Sequence, residues 1–265
     1  TLVARMTVYK HDRELLRSVQ ELIATDFFDY VSIYPAAVRD GNGARPGHSH
    51  FSPVFREQFL ALAEWYPVLV GSGRFKGCLE LNRYCEALLT GKTVLNHCRA
   101  GAGYFTLSPD CTVHPCHRLV GDSTLDLGMF EWDDSAIVER LRPWQTTVLE
   151  RDGCRECHLR FLCGGGCKQE NLAATGDLLG RSPRVCAYSH LLFESAMQVV
   201  GCLHERESET NRRCMKTLRA SFDELSRLFV LCGEPVAPNN RNPFKPMPPL
   251  RLGDFRFAVT PLEWL

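Results

Sequence analysis

The sequence predicts an α+β fold, and three observations carry that expectation. The first 35 residues read as strand, amphipathic helix, strand. Most of the remaining chain has helical periodicity, interrupted by one short hairpin. Four cysteines gather between Cys154 and Cys167. In chain order, residues 2–9 are rich in branched and apolar types and read as a strand. Residues 12–24 place Leu15, Val19, Leu22 and Ile23 on one helical face. Residues 30–34 are a second strand, closed by Pro35. A crossover helix between two strands implies that they run parallel. One such unit cannot cover both of its faces, so it should belong to a larger parallel sheet or barrel. Residues 38–50, with Gly41, Gly43, Pro46 and Gly47, form a loop at the carboxyl end of the second strand, where α/β folds place their sites.

Residues 53–66 carry Phe55, Phe59, Leu62 and Tyr66 at helical spacing. Residues 75–90 do the same with Phe75, Cys78, Leu81, Cys85 and Leu88. Residues 104–107 and 112–116 flank the turn Ser108-Pro109-Asp110-Cys111 as a hairpin. Residues 134–151 are helical with a break expected at Pro143, and 168–175 make a short helix ended by Gly176. Residues 185–206 and 210–232 are longer helices, the second striped by Leu218, Phe222, Leu225 and Phe229. Residues 233–250 hold six of the 15 prolines and read as a linker-like tail, ending in Phe255, Phe257 and Trp264 that should dock.

Composition excludes several classes. The 265 residues are 45% hydrophobic and 23% charged, as in ordinary globular proteins. No run of about 18 apolar residues occurs, so no membrane span is expected. Lys+Arg 31 balances Asp+Glu 31, which argues against binding nucleic acid by bulk charge. The chain starts Thr1-Leu2-Val3 without Met or signal peptide, so the expectation is a missing upstream part or a processed product.

The 13 cysteines need a reason. Disulfides suit small exported domains, and neither condition holds. Reduced thiolates serving as metal ligands suit the bunching, and some cysteines are expected simply as small buried apolar residues. Cys154-x2-Cys157-x5-Cys163-x3-Cys167 has the ligand count of a zinc site or an iron–sulfur cluster. Gly164-Gly165-Gly166, lacking side chains, would let the backbone pass close to a bulky cluster.

With Cys98 and Cys116 upstream and Cys186 downstream, the pattern resembles the SPASM region of radical S-adenosylmethionine enzymes that act on peptides and proteins. The surrounding residues share the resemblance: Cys98-Arg99-Ala100-Gly101, Ser108-Pro109-Asp110, His114-Pro115-Cys116-His117-Arg118-Leu119 and Leu162-Cys163-Gly164-Gly165-Gly166-Cys167. It covers about residues 95–190. It implies two auxiliary [4Fe–4S] clusters, one on Cys98, Cys116 and Cys167, the other on Cys154, Cys157, Cys163 and Cys186. It implies that the N-terminal βαβ unit is a late portion of a partial, TIM-like (β/α) barrel. The implied domains are 1–75 (barrel), 76–190 (SPASM) and 191–265 (helices and proline-rich tail). It also implies a peptide or protein substrate, an external electron donor, cytoplasmic location, and no nucleic acid or membrane partner.

The sequence departs from the family in four places. Cys111 stands where the family has a turn glycine, at a cost of about 1 kcal/mol if that backbone is left-handed. The first cluster lacks an evident fourth ligand. Cys85 is the nearest candidate for an eighth cysteine ligand and His97 another, against the plain reading of Cys78, Cys85, Cys202, Cys214 and Cys232 as core. His117 takes the place of an aspartate base of sulfatase-maturing relatives. It is a candidate proton carrier, although packing on the cluster loop is the simpler role. The wording around it is closer to enzymes that install thioether cross-links. Finally, the C-x3-C-x2-C run that holds the radical-generating cluster and S-adenosylmethionine does not occur. The expectation is therefore the C-terminal part of a radical S-adenosylmethionine peptide or protein maturase, inactive alone. The alternative is a non-catalytic iron–sulfur or zinc module that recognises peptides or acts as a scaffold.

Overall fold

The computed structural model describes residues 1–8, 14–36, 51–130, 135–205 and 208–231. The loop predicted over 38–50, Cys232 and the proline-rich tail lie outside the described residues. Strand β1 (Val3–Val8), helix α1 (Leu15–Ala24) and strand β2 (Tyr30–Pro35) form the βαβ unit. The strands are parallel, with Val3 opposite Tyr30 and Val8 opposite Pro35. Leu15 and Val19 bury one stripe of α1. Tyr30, Val31 and Ile33 are fully enclosed, as expected of a parallel strand covered on both faces.

Helix α2 (Pro53–Gly71) begins where the Ser52 hydroxyl accepts a hydrogen bond from the Phe55 N–H, with proline in the first turn. It runs to Gly71 rather than 66, through Pro67, because Tyr66 and Val70 continue its buried face. The helix expected from residue 75 starts late. Gly77–Cys78 instead form strand β3, parallel to β2 in the order β1-β2-β3. Gly77 sits at φ +124°, and a side chain there would run into Tyr66 and Asn82. The Tyr66 hydroxyl fills that space and accepts the Cys78 N–H at 2.6 Å. Helix α3 therefore spans Leu79–Thr90, and Cys78 leaves the helical stripe assigned to it.

Helices α7 (Pro183–Glu205) and α8 (Glu209–Leu231) pack on α2 and α3. One hydrophobic core joins the βαβ unit, α2, α3, α7 and α8, from Ala4 to Phe222. It draws on both sides of residues 75 and 190, the bounds that the resemblance implies. Cys78, Cys85 and Cys214 are buried in it. Leu218 and Phe222 carry the predicted stripe of α8, and the side chains of 225–231 lie outside the described residues. No helix among the described residues is long and apolar enough to cross a membrane.

The remaining chain builds on smaller clusters. Strands β4 (Thr106–Leu107) and β5 (Val113–His114) form the antiparallel hairpin. Helix α4 (Ser135–Gln145) passes through Pro143 instead of breaking there. Residues 148–150 form a 3-10 turn opened by a capping box, the Thr147 N–H donating to Glu150 at 2.8 Å. Helices α5 (Arg160–Cys163) and α6 (Lys168–Thr175) are short, and Gly176 ends α6 in the left-handed conformation. Val113, Leu127, Ile137 and Leu141 make one small core, and Ala100, Cys116, Leu119 and Trp144 another.

Two consequences are measurable. Cys111 is exposed and left-handed, at φ +63°. Cys111→Gly should stabilise the chain by about 1 kcal/mol in urea denaturation, since glycine adopts that backbone without strain. Glu80 reaches from α3 to β2, accepting from Ser32 Oγ at 2.6 Å and the Ile33 N–H at 3.0 Å. Burial lifts its carboxyl above the ordinary range, against those hydrogen bonds. A pKa raised by folding favours the native state when protonated. That contribution is complete below the ordinary carboxylate pKa and is lost as pH climbs through the raised one. As pH rises from about 4, the ordinary carboxylate value, through the raised one, wild type should lose stability relative to Glu80→Gln. Parallel pH profiles would contradict this.

Candidate metal centres

The cysteine quartet lies on a chain of tight turns. The Cys154 N–H donates to the Arg151 carbonyl at 3.1 Å, Cys157 to Cys154 at 2.9 Å, and Cys163 to Leu159 at 2.8 Å. Gly164, Gly165 and Gly166 follow, all left-handed at φ +64°, +83° and +72°. Their missing side chains leave room for protein. A Cβ would meet the Asn96–His97 backbone at Gly164, the Arg151 guanidinium at Gly165 and Val185 at Gly166. The glycines reverse the chain and let it press on the segment before Cys98, where the His97 N–H donates to the Gly164 carbonyl at 2.9 Å. The contacts seen at these glycines are to protein.

The seven cysteines fall into two groups. Cys154, Cys157, Cys163 and Cys186 together line a cavity of about 50 Å³, with Arg181, Ser189 and His190. Burial pushes the Cys154 thiol up, and Cys163 and Cys157 push it further. Burial likewise raises Cys186, helped by Cys163 and Cys154. Ser189 Oγ lies 3.2 Å from Cys163 Sγ, a hydroxyl donating to sulfur. The other three form a closed triangle of like-charge neighbours. Burial raises all three thiols, and beyond it Cys116 acts on Cys98, Cys167 on Cys116 and Cys98 on Cys167. Cys167 caps the start of α6 and turns toward the hairpin, while Cys186 in the first turn of α7 joins the other three of the quartet. Among the described residues, no group of three or more His, Cys, Asp or Glu side chains converges tightly enough for a single metal ion.

The remaining candidates sit elsewhere. Cys85 is fully buried in the main core, where its electrostatic neighbour is Cys214. It packs among apolar side chains of α2, α3, α7 and α8 instead of joining either cysteine group. His97 turns Nδ1 to the Cys163 carbonyl at 3.3 Å, so it bridges loops of the two groups. His117 opens an exposed 3-10 turn beside Arg118.

Several residues that hold the site were not singled out from sequence. Arg151 is 1% exposed and donates to the carbonyls of Leu179, Gly165 and Gly180 at 3.2, 2.7 and 2.7 Å. It ties the quartet loop to the turn before α7. Glu170 is buried between Arg118, at 2.9 Å, and Arg184. Arg118 also lies 3.5 Å from Cys167 Sγ. Two guanidiniums thus face one carboxylate and one thiol, and the charges balance when that thiol is a thiolate. Lys168 is buried against the Trp144 carbonyl, and burial pushes its pKa down to about 8. Tyr104 packs with Cys98 and Cys116. Spacing could not announce these, because each acts on backbone or side chains distant in sequence.

A cavity of about 480 Å³ lies between the sheet and the cysteine groups. Arg5, Ser32 and Tyr34 come from the strands, Glu80 and Arg83 from α3, and Glu170, Arg184 and Tyr188 from α6 and α7. Pro35 and Phe51 at its rim flank the loop in which the sequence suggested a site.

No protein-family model matches the chain. The PqqA peptide cyclase of Bradyrhizobium diazoefficiens is 31% identical over 128 residues, which is 43% of this chain and 31% of that protein. An uncharacterized protein of Archaeoglobus fulgidus is 29% identical over 108 residues, 40% of this chain and 26% of that one. The chain thus matches less than a third of the length of either curated relative. Among solved structures, histidine-tagged anSMEcpe with bound AdoMet superposes with a TM-score of 0.51 at 15% identity, over 80% of this chain and 57% of that one. Native anSMEcpe with bound AdoMet and Kp18Cys peptide gives 0.50 at 16% identity, over 76% and 56%. The small parallel sheet and its surrounding helices therefore share the fold of the corresponding part of anSMEcpe.

Proposed function

We propose that the chain is part of a radical S-adenosylmethionine enzyme that modifies a peptide or protein, and that it carries two auxiliary [4Fe–4S] clusters. The observation that carries this reading is the division of seven cysteines into three and four, with Cys167 and Cys186 crossing between groups. That is the ligand set the SPASM resemblance implies. The donor chemistry fits: buried thiols in groups, cations beside them, and a hydroxyl donating to one sulfur.

Cys98, Cys116 and Cys167 would hold the first cluster, and Cys154, Cys157, Cys163 and Cys186 the second. When bound, such clusters accept and pass on single electrons. The chain's own residues prepare the surroundings. Arg118 and Lys168 put positive charge beside the three-cysteine group, and Arg151 locks the loop that carries four ligands. The 480 Å³ cavity, with Arg5, Arg83 and Arg184 against Glu80 and Glu170, offers both charges and aromatic walls to a polar chain. A peptide substrate is supported by the peptide cyclase relative and by the peptide-bound structural neighbour. The histidine at 117 weakens a sulfatase-maturing assignment, and the sequence around it resembles enzymes that install thioether cross-links. S-adenosylmethionine and the radical-initiating cluster are, on this reading, held by residues other than these 265.

The test is chemical. Anaerobically reconstituted chain should hold about eight irons and as many acid-labile sulfides. Cys98→Ala and Cys186→Ala should each lose about half of them. Zinc bound without sulfide would overturn the reading.

A further inference from the structure

On the two-cluster reading above, the first group brings three thiols to a cluster with four irons to ligate. Cys85 is sealed in the main core, and His97 turns Nδ1 to the Cys163 carbonyl. A different side chain stands ready for the fourth iron. His114 is 4% exposed, and its Nδ1 has no hydrogen-bond partner among the described residues. A buried ring nitrogen without a partner is costly, so its place in the fold needs a reason.

The hairpin sets the direction of this ring. His114 pairs with Thr106, and Val113 with Leu107. Successive residues of a strand project to opposite faces. Val113 packs with Leu127, Ile137, Leu141 and Phe105 on one face, so His114 takes the other. Cys116 keeps an extended backbone, at φ −151° and ψ 142°. It therefore shares the face of His114, about 6.6 Å away along the chain. There Cys116 packs with Ala100 and Trp144, and Cys98 lies against them. Arg118, two residues on, reaches to 3.5 Å from the Cys167 sulfur, so the third thiol borders the same segment.

We propose that His114 is the fourth protein ligand of the first cluster, bound to iron through Nδ1. Imidazole takes the place of cysteine on iron in some iron–sulfur centres. The Nδ1 lone pair is available when the ring proton sits on Nε2. One dative bond forms, from that lone pair to iron, and neither a proton nor an electron is transferred. Two consequences follow from the donor set. An imidazole in place of a thiolate leaves the first cluster less negative than the second, so it is reduced at the higher potential. With all four irons held by protein, the first cluster passes electrons and does not bind a substrate thiol.

The experiment is pulsed electron paramagnetic resonance on the reconstituted, dithionite-reduced 265-residue chain, with and without isotopic labelling of histidine nitrogen. A histidine nitrogen bound to iron gives a strong coupling that changes with the label. Wild type holding about eight irons should show it, and this measurement is independent of how any variant folds. His114→Cys supplies a thiolate at the same position. It should keep its iron, lose the histidine coupling and move one midpoint to more negative potential, leaving the other unchanged. His117→Asn, at the nearby exposed histidine, should keep the coupling. Eight irons without a histidine coupling in wild type overturn this inference alone. A coupling that survives in His114→Cys also overturns it, as does one that disappears in His117→Asn. Wild type that takes up no iron overturns the two-cluster reading first, and this inference with it.

Discussion

The buried carboxylate of Glu170 is the point through which the parts of this chain are tied. It lies on α6, directly after the cysteine loop, and is nearly inaccessible to water. Such a charge is stable only when paired and fully hydrogen-bonded. Arg118 supplies one partner from the hairpin side, and Arg184 the other from the start of α7. Arg184 also donates to the carbonyls of Pro35 and Ala36, at the carboxyl end of β2. One carboxylate therefore connects sheet, hairpin, cysteine loop and long helix. The same network sets the Arg118 guanidinium 3.5 Å from the Cys167 sulfur.

Arg151 does complementary work on the other side of the loop. Its three carbonyl acceptors come from two segments that the sequence separates by about the length of α6 and its turns. A guanidinium is suited to this because its donors point in fixed directions and never lose their proton. The glycine triple is best understood with it. Three left-handed residues reverse the chain, and the absent side chains admit Arg151 and Val185.

Much of the fold was legible in the residues. Period-two and period-3.6 patterns located the βαβ unit, α2, α6 and α7, because burial of one face leaves a mark on sequence. Boundaries failed where tertiary contacts overrode local preference. Gly77 became strand because Tyr66 needs its space, and Pro67 and Pro143 stayed inside helices whose buried faces continue past them. One apolar core includes residues on both sides of positions 75 and 190, because α3, α7 and α8 bury apolar faces with the βαβ unit and α2. Cys85 could be read two ways on a helical stripe, and only its surroundings in the core distinguish them.

By itself, the sequence singled out the cysteines whose spacing suggests metal ligation. It also marked the turn at Cys111, where the resemblance has a glycine and the structure has a left-handed backbone. What only the tertiary structure decided is which charge and which hydroxyl stand beside those sulfurs. Ligand spacing is a local property of the chain, written in consecutive residues. The pairing of Glu170 with Arg118 and Arg184, and the hydroxyl of Ser189 beside the Cys163 sulfur, are properties of packing between segments far apart in sequence.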